Sequence, residues 1–330
     1  SSNGAQRLHA ELAVLRQTVR RRYGDGSLIG RSPSMLRAFE QIQLAQSSMA
    51  PVLFVGEPGS GKQHLARVLH YQSAAGKKAF VFGVLNEYSI AYHIAEQLHK
   101  NGCEMGFSHL PAEKIERRVV KAVEKFSPRF LAPWDVSKDE DIDAAFKKAA
   151  EHSGTFDILI HSLAFAPAEA LHNPFLQTTR EQWRTALDIS AYSLLAMAKA
   201  AQPLMNKEGS IVTMSYLGAE KYIPMYNVMA VAKAALECTV RYLAAEMGRH
   251  EKHIRVNAIS AGAIKTMAAR GIGDIDKMMD HYTEKAPLPW NADDAATHVG
   301  KTALWLTSDL STGVTGETVY VDGGYNIVGW

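Results

Sequence analysis

Long hydrophobic runs, cysteines and net charge are all scarce in this sequence of 330 residues. No uninterrupted apolar run approaches the roughly 18 residues of a membrane span, so we expect no association with a membrane. The two cysteines, Cys103 and Cys238, form neither a disulfide framework nor the ligand spacing of a metal site. The first 24 residues lack the apolar core of a secretory signal, which favours a location in the reducing cytoplasm.

The small net charge of +2 is unevenly distributed along the chain. Residues 1–76 contain nine Lys or Arg against four Asp or Glu, and three of these cations form the run Arg20–Arg22. A basic run can mark a nucleic-acid patch. Arginines also suit the negative end of a helix dipole. We favour the helix end and expect no nucleic-acid partner.

Near residue 76 the sequence divides into two unequal pieces, and the first is predicted to be mostly helical. Leu8, Leu12, Leu15 and Val19 follow one another at the three- or four-residue spacing of an amphipathic helix. The other predicted elements of this piece are a helix around Ser34–Leu44, a strand over 51–56 and a helix near Gln63–Tyr71. The stretch SAAGKK at 73–78 has the composition of a linker.

From Lys78 onward, strands and helices alternate almost to the end of the chain. Predicted strands cover 78–84, 103–108, 129–136, 156–162, 209–215, 253–260 and 317–322, with long helices at Glu181–Met205 and Asn227–Gly248. Near-continuous apolar strands that alternate with helices indicate a parallel sheet covered on both faces. The sequence therefore predicts a doubly wound, Rossmann-type α/β fold with seven strands in the order 3-2-1-4-5-6-7.

A glycine-rich loop follows the predicted strand at 51–56. The residues that fit the phosphate-binding pattern G-x-x-x-x-G-K are Gly56, Gly59, Gly61 and Lys62. In this pattern backbone N–H groups and the lysine hold a phosphate. Gln63 stands where Ser or Thr usually helps to hold Mg²⁺. The segment of about residues 20–76 resembles the start of the AAA+ ATPase domain of sigma-54-dependent transcriptional activators.

That resemblance covers only part of an ATPase domain. Phosphoryl transfer needs further residues that hold Mg²⁺ and orient water, and we find no later apolar strand that ends in acidic residues. We therefore expect an incomplete phosphate-loop extension over 1–76. ATP binding by such an extension, fused to an impaired reductase domain, is the alternative to the function developed below.

A second glycine-containing turn, which begins at Gly83, follows the first predicted strand of the larger piece and opens a helix. A dinucleotide pyrophosphate binds at this position in Rossmann folds. Further along, Tyr226 and Lys233 are seven residues apart, so on a helix they lie within about 20° of each other, with Met229 on the same face. A phenol and an ammonium aligned in this way suit an enzyme in which lysine holds a ribose and lowers the tyrosine pKa.

These features resemble the FabI-type enoyl-acyl-carrier-protein reductases, which are divergent members of the short-chain dehydrogenase/reductase family. The segments that carry the resemblance are Ser89–Ala91, HSLAFAP (161–167), LDISAYSLLAMAKAA (187–201), the Tyr216–Tyr226–Lys233 spacing, RVNAISAGAIKTMAA (255–269) and VDGGYNIVG (321–329). The resemblance runs from about Lys77 to the end of the chain. It argues against a ketoacyl reductase, whose tyrosine would stand at position 229.

The resemblance implies a role for each matching residue. The implied cofactor-binding residues are Gly83, Ser89, Ile90, Asp135, Val136, Ser162, Leu163, Ala164, Lys233, Ala263, Ile264 and Thr266. The implied substrate-binding residues are Ala166, Tyr216, Tyr226, Met229 and Ala268. Asp135 and Val136 would bracket the adenine, and Ala263, Ile264 and Thr266 would contact the nicotinamide carboxamide and the phosphates. Catalysis would depend on Tyr226, Lys233 and Tyr216, with Tyr226 donating a hydrogen bond to the thioester oxygen.

Three positions depart from the family pattern. His93 replaces a glycine that lets the first helix pack closely on its strand, and Ala263 replaces a proline, which would leave its loop less rigid. Trp134 stands where a small residue is common, and we expect it to crowd or stack on the adenine.

The segment Ile264–Lys277 contains Gly271 and Gly273, which suits a mobile lid.

The resemblance implies NADH-dependent reduction of trans-2-enoyl thioesters in bacterial type II fatty-acid synthesis. NADPH is less favoured, since no arginine directly follows the second strand at Phe107–Leu110 to bind a 2′-phosphate. The implied partners are an acyl carrier protein that delivers the substrate and further copies of the chain in a homotetramer.

Overall fold

The computed structural model describes residues 32, 34–35, 37–38, 41, 52–62, 65, 76–267, 269, 275–292 and 294–329. The chain forms two units, of which the first comprises residues 1–75 with 100–102 and the second comprises residues 76–99 with 103–330. The helix predicted from Leu8 to Val19 lies outside the described residues, as do most of the predicted helix at 63–71 and most of the linker.

In the first unit, the predicted strand at 51–56 is wrong over its described part. Residues 52–57 have no strand pairing. Leu53 and Val55 are each 86 % exposed, so their side chains do not contribute to a buried sheet. An apolar run forms a strand only where a neighbouring strand accepts its hydrogen bonds and a second layer covers its side chains.

The described part of the second unit contains a seven-stranded parallel sheet in the order β3-β2-β1-β4-β5-β6-β7. The strands are β1 (Lys78–Phe82), β2 (Glu104–His109), β3 (Leu131–Pro133), β4 (Phe156–His161), β5 (Met205–Ser215), β6 (Arg255–Ala261) and β7 (Thr318–Val321). All seven predicted strands occur, and the predicted doubly wound fold is confirmed.

Helices connect the strands. They are α1 (Ile90–Lys100), α2 (Glu113–Val123), α3 (Asp139–Ser153), α4 (Ala168–His172), α5 (Arg180–Leu187), α6 (Ser193–Ala201), α7 (Asn227–Arg249), α8 (Ile275–Lys285) and α9 (Ala295–Thr307). The long helix α7 agrees with its prediction. The helix predicted over Glu181–Met205 is divided instead, because a π-helical stretch at Asp188–Tyr192 separates α5 from α6 and Met205 already belongs to β5.

Two apolar cores cover the two faces of the sheet. Alternate residues of a strand point to opposite faces, and β1 shows this directly. Ala79 and Val81 belong to the core that includes α1 and α9. Phe80 and Phe82 belong to the core that includes α3 and α6, where their ring centroids are 4.0 Å apart. Burial on both faces explains why the strands read as continuous apolar runs.

Two further observations concern the described residues only. None of their helices combines the length and the apolar character needed to cross a membrane. Both cysteines are free thiols, Cys103 buried and Cys238 exposed.

Candidate active site

The loop after β1 approaches the loop after β4 so closely that only glycine fits. Gly83 has φ 101°, and a Cβ at this position would lie 2.0 Å from the carbonyl oxygen of Ser162. The Ser162 N–H in turn donates to the Phe82 carbonyl oxygen at 3.2 Å. The carboxyl ends of β1 and β4 therefore meet in a close-packed junction, called the cradle below, at the edge of the sheet where dinucleotides bind in doubly wound folds.

Ser89 holds the turn between this cradle and α1. Its hydroxyl oxygen accepts hydrogen bonds from the Leu85 N–H at 3.0 Å and the Asn86 N–H at 3.2 Å. The helix begins at the next residue, Ile90. The free N–H groups and dipole of a helix N-terminus favour an anion, so the cradle fits a pyrophosphate. His93 lies off the sheet-facing side of α1, which is formed by Ala91, Ile94, Ala95 and Leu98.

The residues predicted to hold adenine follow β3. The Asp135 carboxylate accepts hydrogen bonds from the Ser137 hydroxyl at 2.7 Å and the Ser137 N–H at 3.1 Å, and these bonds lower the pKa of Asp135. Trp134 does not point into this region, contrary to our expectation. It is buried with its ring centroid 4.3 Å from that of Phe82, because it continues the inward face that Ala132 begins on β3.

The strand β2 ends without an acidic side chain that could bind the adenine ribose. Ser108 and His109 are buried there, and the His109 ring nitrogen Nδ1 lies 3.0 Å from the Leu110 carbonyl oxygen. This end of the strand offers no arginine for a 2′-phosphate, which agrees with NADH as the cofactor.

Ser190 is a site residue that the sequence did not indicate. The π-helical stretch carries it, and its hydroxyl accepts from the Phe165 N–H at 3.0 Å and lies 3.7 Å from the Met229 sulfur. Single turns of π-helix occur often at functional sites. Ser190 thus links the segment after β4, which contains Leu163, Ala164 and Ala166, to the helix that carries the predicted catalytic residues.

Tyr226, Met229 and Lys233 lie along the first two turns of α7, as their spacing predicted. Tyr226 directly precedes the helix and is 5 % exposed. Lys233 is also buried, and its ammonium donates a hydrogen bond to the Met214 carbonyl oxygen at 2.7 Å. The Tyr216 and Tyr226 rings meet edge to face with their centroids 4.8 Å apart. The structure therefore brings all three predicted catalytic residues to the carboxyl end of β5.

Burial dominates the titration of this group. It raises the pKa of Tyr226 well above its usual range, with a contribution from Tyr216, and it raises the pKa of Tyr216 to about 12. Burial lowers the pKa of Lys233 to about 8, against the opposing charge of Glu237. Contrary to the expectation that Lys233 lowers the pKa of Tyr226, the net shift is upward, because desolvation of the phenolate outweighs any attraction.

The predicted substrate region lies beside an aromatic wall supplied by α8 and the C-terminal segment. Tyr282 of α8 stacks on Tyr325 with ring centroids 3.9 Å apart. Tyr282 and Met279 belong to the same buried cluster as Tyr216, Tyr226 and Met229, and Ala166 packs against it. Sequence reasoning missed the wall residues of α8. Ala268 and the lid glycines Gly271 and Gly273 lie outside the described residues.

The segment after β6 carries the residues predicted to face the nicotinamide. Ala263 and Ile264 are buried, and the Thr266 N–H donates to the Ile264 carbonyl oxygen at 2.9 Å. The Thr266 hydroxyl accepts from the Ala269 N–H at 3.0 Å. The Ala263 carbonyl oxygen accepts a hydrogen bond from the indole of Trp290 at 2.9 Å.

The glycine-rich loop predicted to hold a phosphate belongs to the first unit. Gly59 and Gly61 have φ of 82° and 80°, and the Lys62 ammonium donates to the Glu57 carbonyl oxygen at 3.0 Å across the loop. Gly56 begins this turn. No cluster of three or more potential metal-ligating side chains occurs in the part of the chain that the structure describes.

Comparison with known proteins gives matches to two different parts of the chain. Residues 83–326 match the family described as enoyl-(acyl carrier protein) reductase, and residues 28–98 match the sigma-54 interaction domain. The second match extends further than the resemblance to residue 76 that the sequence indicated, and it overlaps the first over 83–98.

Individual relatives agree with the larger match. The NADH-dependent enoyl-[acyl-carrier-protein] reductase of Synechocystis is 48 % identical over 257 residues, which cover 77 % of this chain and 98 % of that protein. The crystal structure of the Aquifex aeolicus NADH enzyme is 44 % identical with a TM-score of 0.73 and covers 78 % of this chain and 100 % of that one. An Anaplasma phagocytophilum enzyme solved with NAD is 40 % identical, has a TM-score of 0.73, and covers 78 % and 95 %.

Proposed function

The chain belongs to the enoyl-(acyl carrier protein) reductase family, and on that premise we propose which of its residues carry out the reaction. The reaction is the NADH-dependent reduction of a trans-2-enoyl thioester of acyl carrier protein. We propose that residues 77–330 form the reductase domain. The observation that carries the assignment is the convergence of Tyr226, Lys233 and Tyr216 at the carboxyl end of β5.

The cofactor site fits a dinucleotide, because the cradle at Gly83 leaves no room for a side chain and opens onto the N-terminus of α1. We propose that Gly83, Ser89 and Ile90 hold the pyrophosphate side and that Asp135 and Val136 bracket the adenine. NADH supplies the hydride that is added to C3 of the enoyl group. The remaining proposed cofactor contacts are Ser162, Leu163, Ala164, Lys233, Ala263, Ile264 and Thr266.

Tyr226 stabilises the negative charge that develops on the thioester oxygen. Its raised pKa keeps the phenol protonated at neutral pH, so it can donate a hydrogen bond to that oxygen. A donor aimed at a developing oxyanion typically contributes about 10²–10³ in rate. Lys233 is fixed by Met214 and holds the ribose hydroxyls through its ammonium. Tyr216, Met229, Ala166 and Ala268 line the acyl chain in this proposal.

The test is NADH oxidation with a crotonyl or longer enoyl thioester. Wild-type enzyme is expected to turn over, and Tyr226→Phe is expected to lose most of the rate while it still binds NADH. Absence of turnover in the wild type with acyl-carrier-protein substrates would contradict the assignment.

We further propose that the chain assembles as a homotetramer through the outer face of α5, the π-helical stretch, α6 and α7. Trp183, Tyr192, Leu195 and Tyr242 are between 39 % and 76 % exposed. The first three line a groove of about 740 Å³ together with Thr239 of α7. Large exposed apolar patches mark interaction surfaces. Light scattering is expected to give the molar mass of four copies. The double variant Tyr192→Lys with Leu195→Lys is expected to give a lower molar mass.

ATP binding by the first unit is a second candidate, favoured by the sigma-54 interaction match and by the loop of Gly56, Gly59, Gly61 and Lys62. The test compares titrations of the whole chain with ATP and with NADH. ATP binding that is lost in Lys62→Ala, with unchanged NADH binding, would support a separate phosphate site.

We propose a cytoplasmic location, where two free thiols remain reduced.

A further inference from the structure

Trp290 contacts three parts of the reductase domain: α8, α9 and the segment after β6. It is 2 % exposed and follows α8. Its indole N–H donates to the Ala263 carbonyl oxygen at 2.9 Å, and its own carbonyl oxygen lies 2.8 Å from the Thr283 hydroxyl of α8. The ring stacks near His298 of α9, with centroids 6.2 Å apart. Thr283 therefore fixes the backbone of Trp290, while the indole of Trp290 contacts the segment after β6.

The hydrogen bond from the Trp290 indole to the Ala263 carbonyl oxygen also fixes the direction of the Ile264 N–H. A peptide unit is planar and trans, so the Ile264 N–H points opposite to the Ala263 carbonyl. Among the described residues, no backbone or side-chain oxygen is found to accept from that N–H. The donor of Trp290 thus leaves the Ile264 N–H directed away from the indole, towards the side that the family resemblance assigns to the nicotinamide.

Gly262 makes this arrangement possible. A Cβ at position 262 would lie 2.8 Å from two atoms of the Trp290 ring, so the ring packs directly against the backbone. The same segment has alanine at position 263, where the family resemblance leads us to expect a proline. Alanine leaves φ free, whereas proline would restrict it. The chain therefore needs another constraint on this segment, and the indole supplies one.

We propose that Trp290 is a positioning residue for the nicotinamide half of the cofactor. It acts through the Ala263 carbonyl, whose peptide unit presents the Ile264 N–H to the carboxamide. The proposal rests on the proposed function, because it takes the segment after β6 as the nicotinamide side. It concerns the nicotinamide half only, since the adenine side is formed after β3 by Asp135 and its neighbours.

The experiment compares two ligands on the full chain. Trp290→Phe keeps an aromatic ring and removes the donor. Loss of one buried hydrogen bond is expected to weaken NADH binding about five- to tenfold. Binding of ADP-ribose, which lacks the nicotinamide, is expected to stay unchanged. Trp305→Phe in α9 is the matched control, and it is expected to change neither affinity. Equal weakening for both ligands, or no weakening for either, would overturn the proposal.

A second measurement uses the wild-type chain and is independent of how well the variant folds. The ¹⁵N-labelled indole resonance of Trp290 is expected to shift on addition of NADH and to stay in place with ADP-ribose. The same shift with both ligands, or none with either, would also overturn the proposal. Neither measurement needs an enoyl substrate, so a failure of the reductase assignment would be recognised separately by absent NADH oxidation in the wild type.

Discussion

The ammonium of Lys233 donates to the carbonyl oxygen of Met214 at 2.7 Å, which anchors a buried cation of α7 to the end of β5. The lysine side chain is only 4 % exposed. Desolvation disfavours its charged form and lowers its pKa to about 8. A group that is expected to hold a ribose through its charge is therefore close to losing that charge at mildly alkaline pH.

NADH affinity is expected to fall as the pH rises through about 8. The charged ammonium is the binding form, and its fraction declines above the pKa, by up to about tenfold per pH unit. Lys233→Arg keeps its charge throughout this range and is expected to bind more weakly but with a flat pH profile. Fluorescence titration of NADH between about pH 6 and pH 10 measures both. A flat wild-type profile would mean that the ammonium charge is not used.

Tyr226→Phe is expected to reduce kcat/KM by about 10²–10³ because it removes the donor to the developing oxyanion. The ring and its edge-to-face contact with Tyr216 are kept, so the unfolding midpoint should change little. The matched control is Tyr222→Phe, at a tyrosine that is 86 % exposed and has no proposed role. Steady-state NADH oxidation with an enoyl thioester separates the two. Similar values of kcat/KM for the two variants would contradict a catalytic role for Tyr226.

Gly83→Ala is expected to abolish detectable NADH binding and to lower the unfolding temperature. Its Cβ would lie 2.0 Å from the Ser162 carbonyl oxygen, so the loops after β1 and β4 must separate. Gly248→Ala is the control, because a Cβ there meets no atom within 4 Å and the residue lies inside α7. That change is expected to leave NADH binding unchanged and to alter the unfolding temperature little. Thermal unfolding with and without NADH tests both variants.

A chain shortened to begin at Lys77 is expected to retain full reductase activity. The lysine keeps its ion pair with Asp309 at 2.6 Å, and the proposed catalytic and cofactor residues all follow it. Rates of NADH oxidation by the full and shortened chains, measured at equal concentration, provide the comparison. A large loss of activity in a folded shortened chain would assign residues 1–76 a part in catalysis.

The sequence predicts correctly those features for which a residue pattern is compatible with only one kind of structure. Apolar runs such as FDILIH are required by a sheet buried on both faces, so the strands and their fold could be predicted. The seven-residue spacing of Tyr226 and Lys233 likewise survives in α7, since a helix has a fixed rise and turn. The strand predicted at 51–56 is wrong because a strand also needs a neighbouring strand and a covering layer, and the apolar run itself says nothing about either.

Contacts between distant segments could not be predicted. Ser190 reaches Met229 from a π-helical turn whose residues look helical in sequence, and Trp290 reaches Ala263 across 27 positions. Trp134 was assigned to the adenine by its neighbour Asp135. The Trp134 side chain instead joins Ala132 of β3 in the buried core, where it packs on Phe82.

The unequal environments of the two cysteines have a practical consequence. Burial raises the pKa of the Cys103 thiol well above its usual range, so it stays protonated and unreactive. Cys238 is exposed on α7, five positions after Lys233. A maleimide dye should therefore attach at one place in the unaltered chain, on the same helix as the lysine that we expect to contact the cofactor.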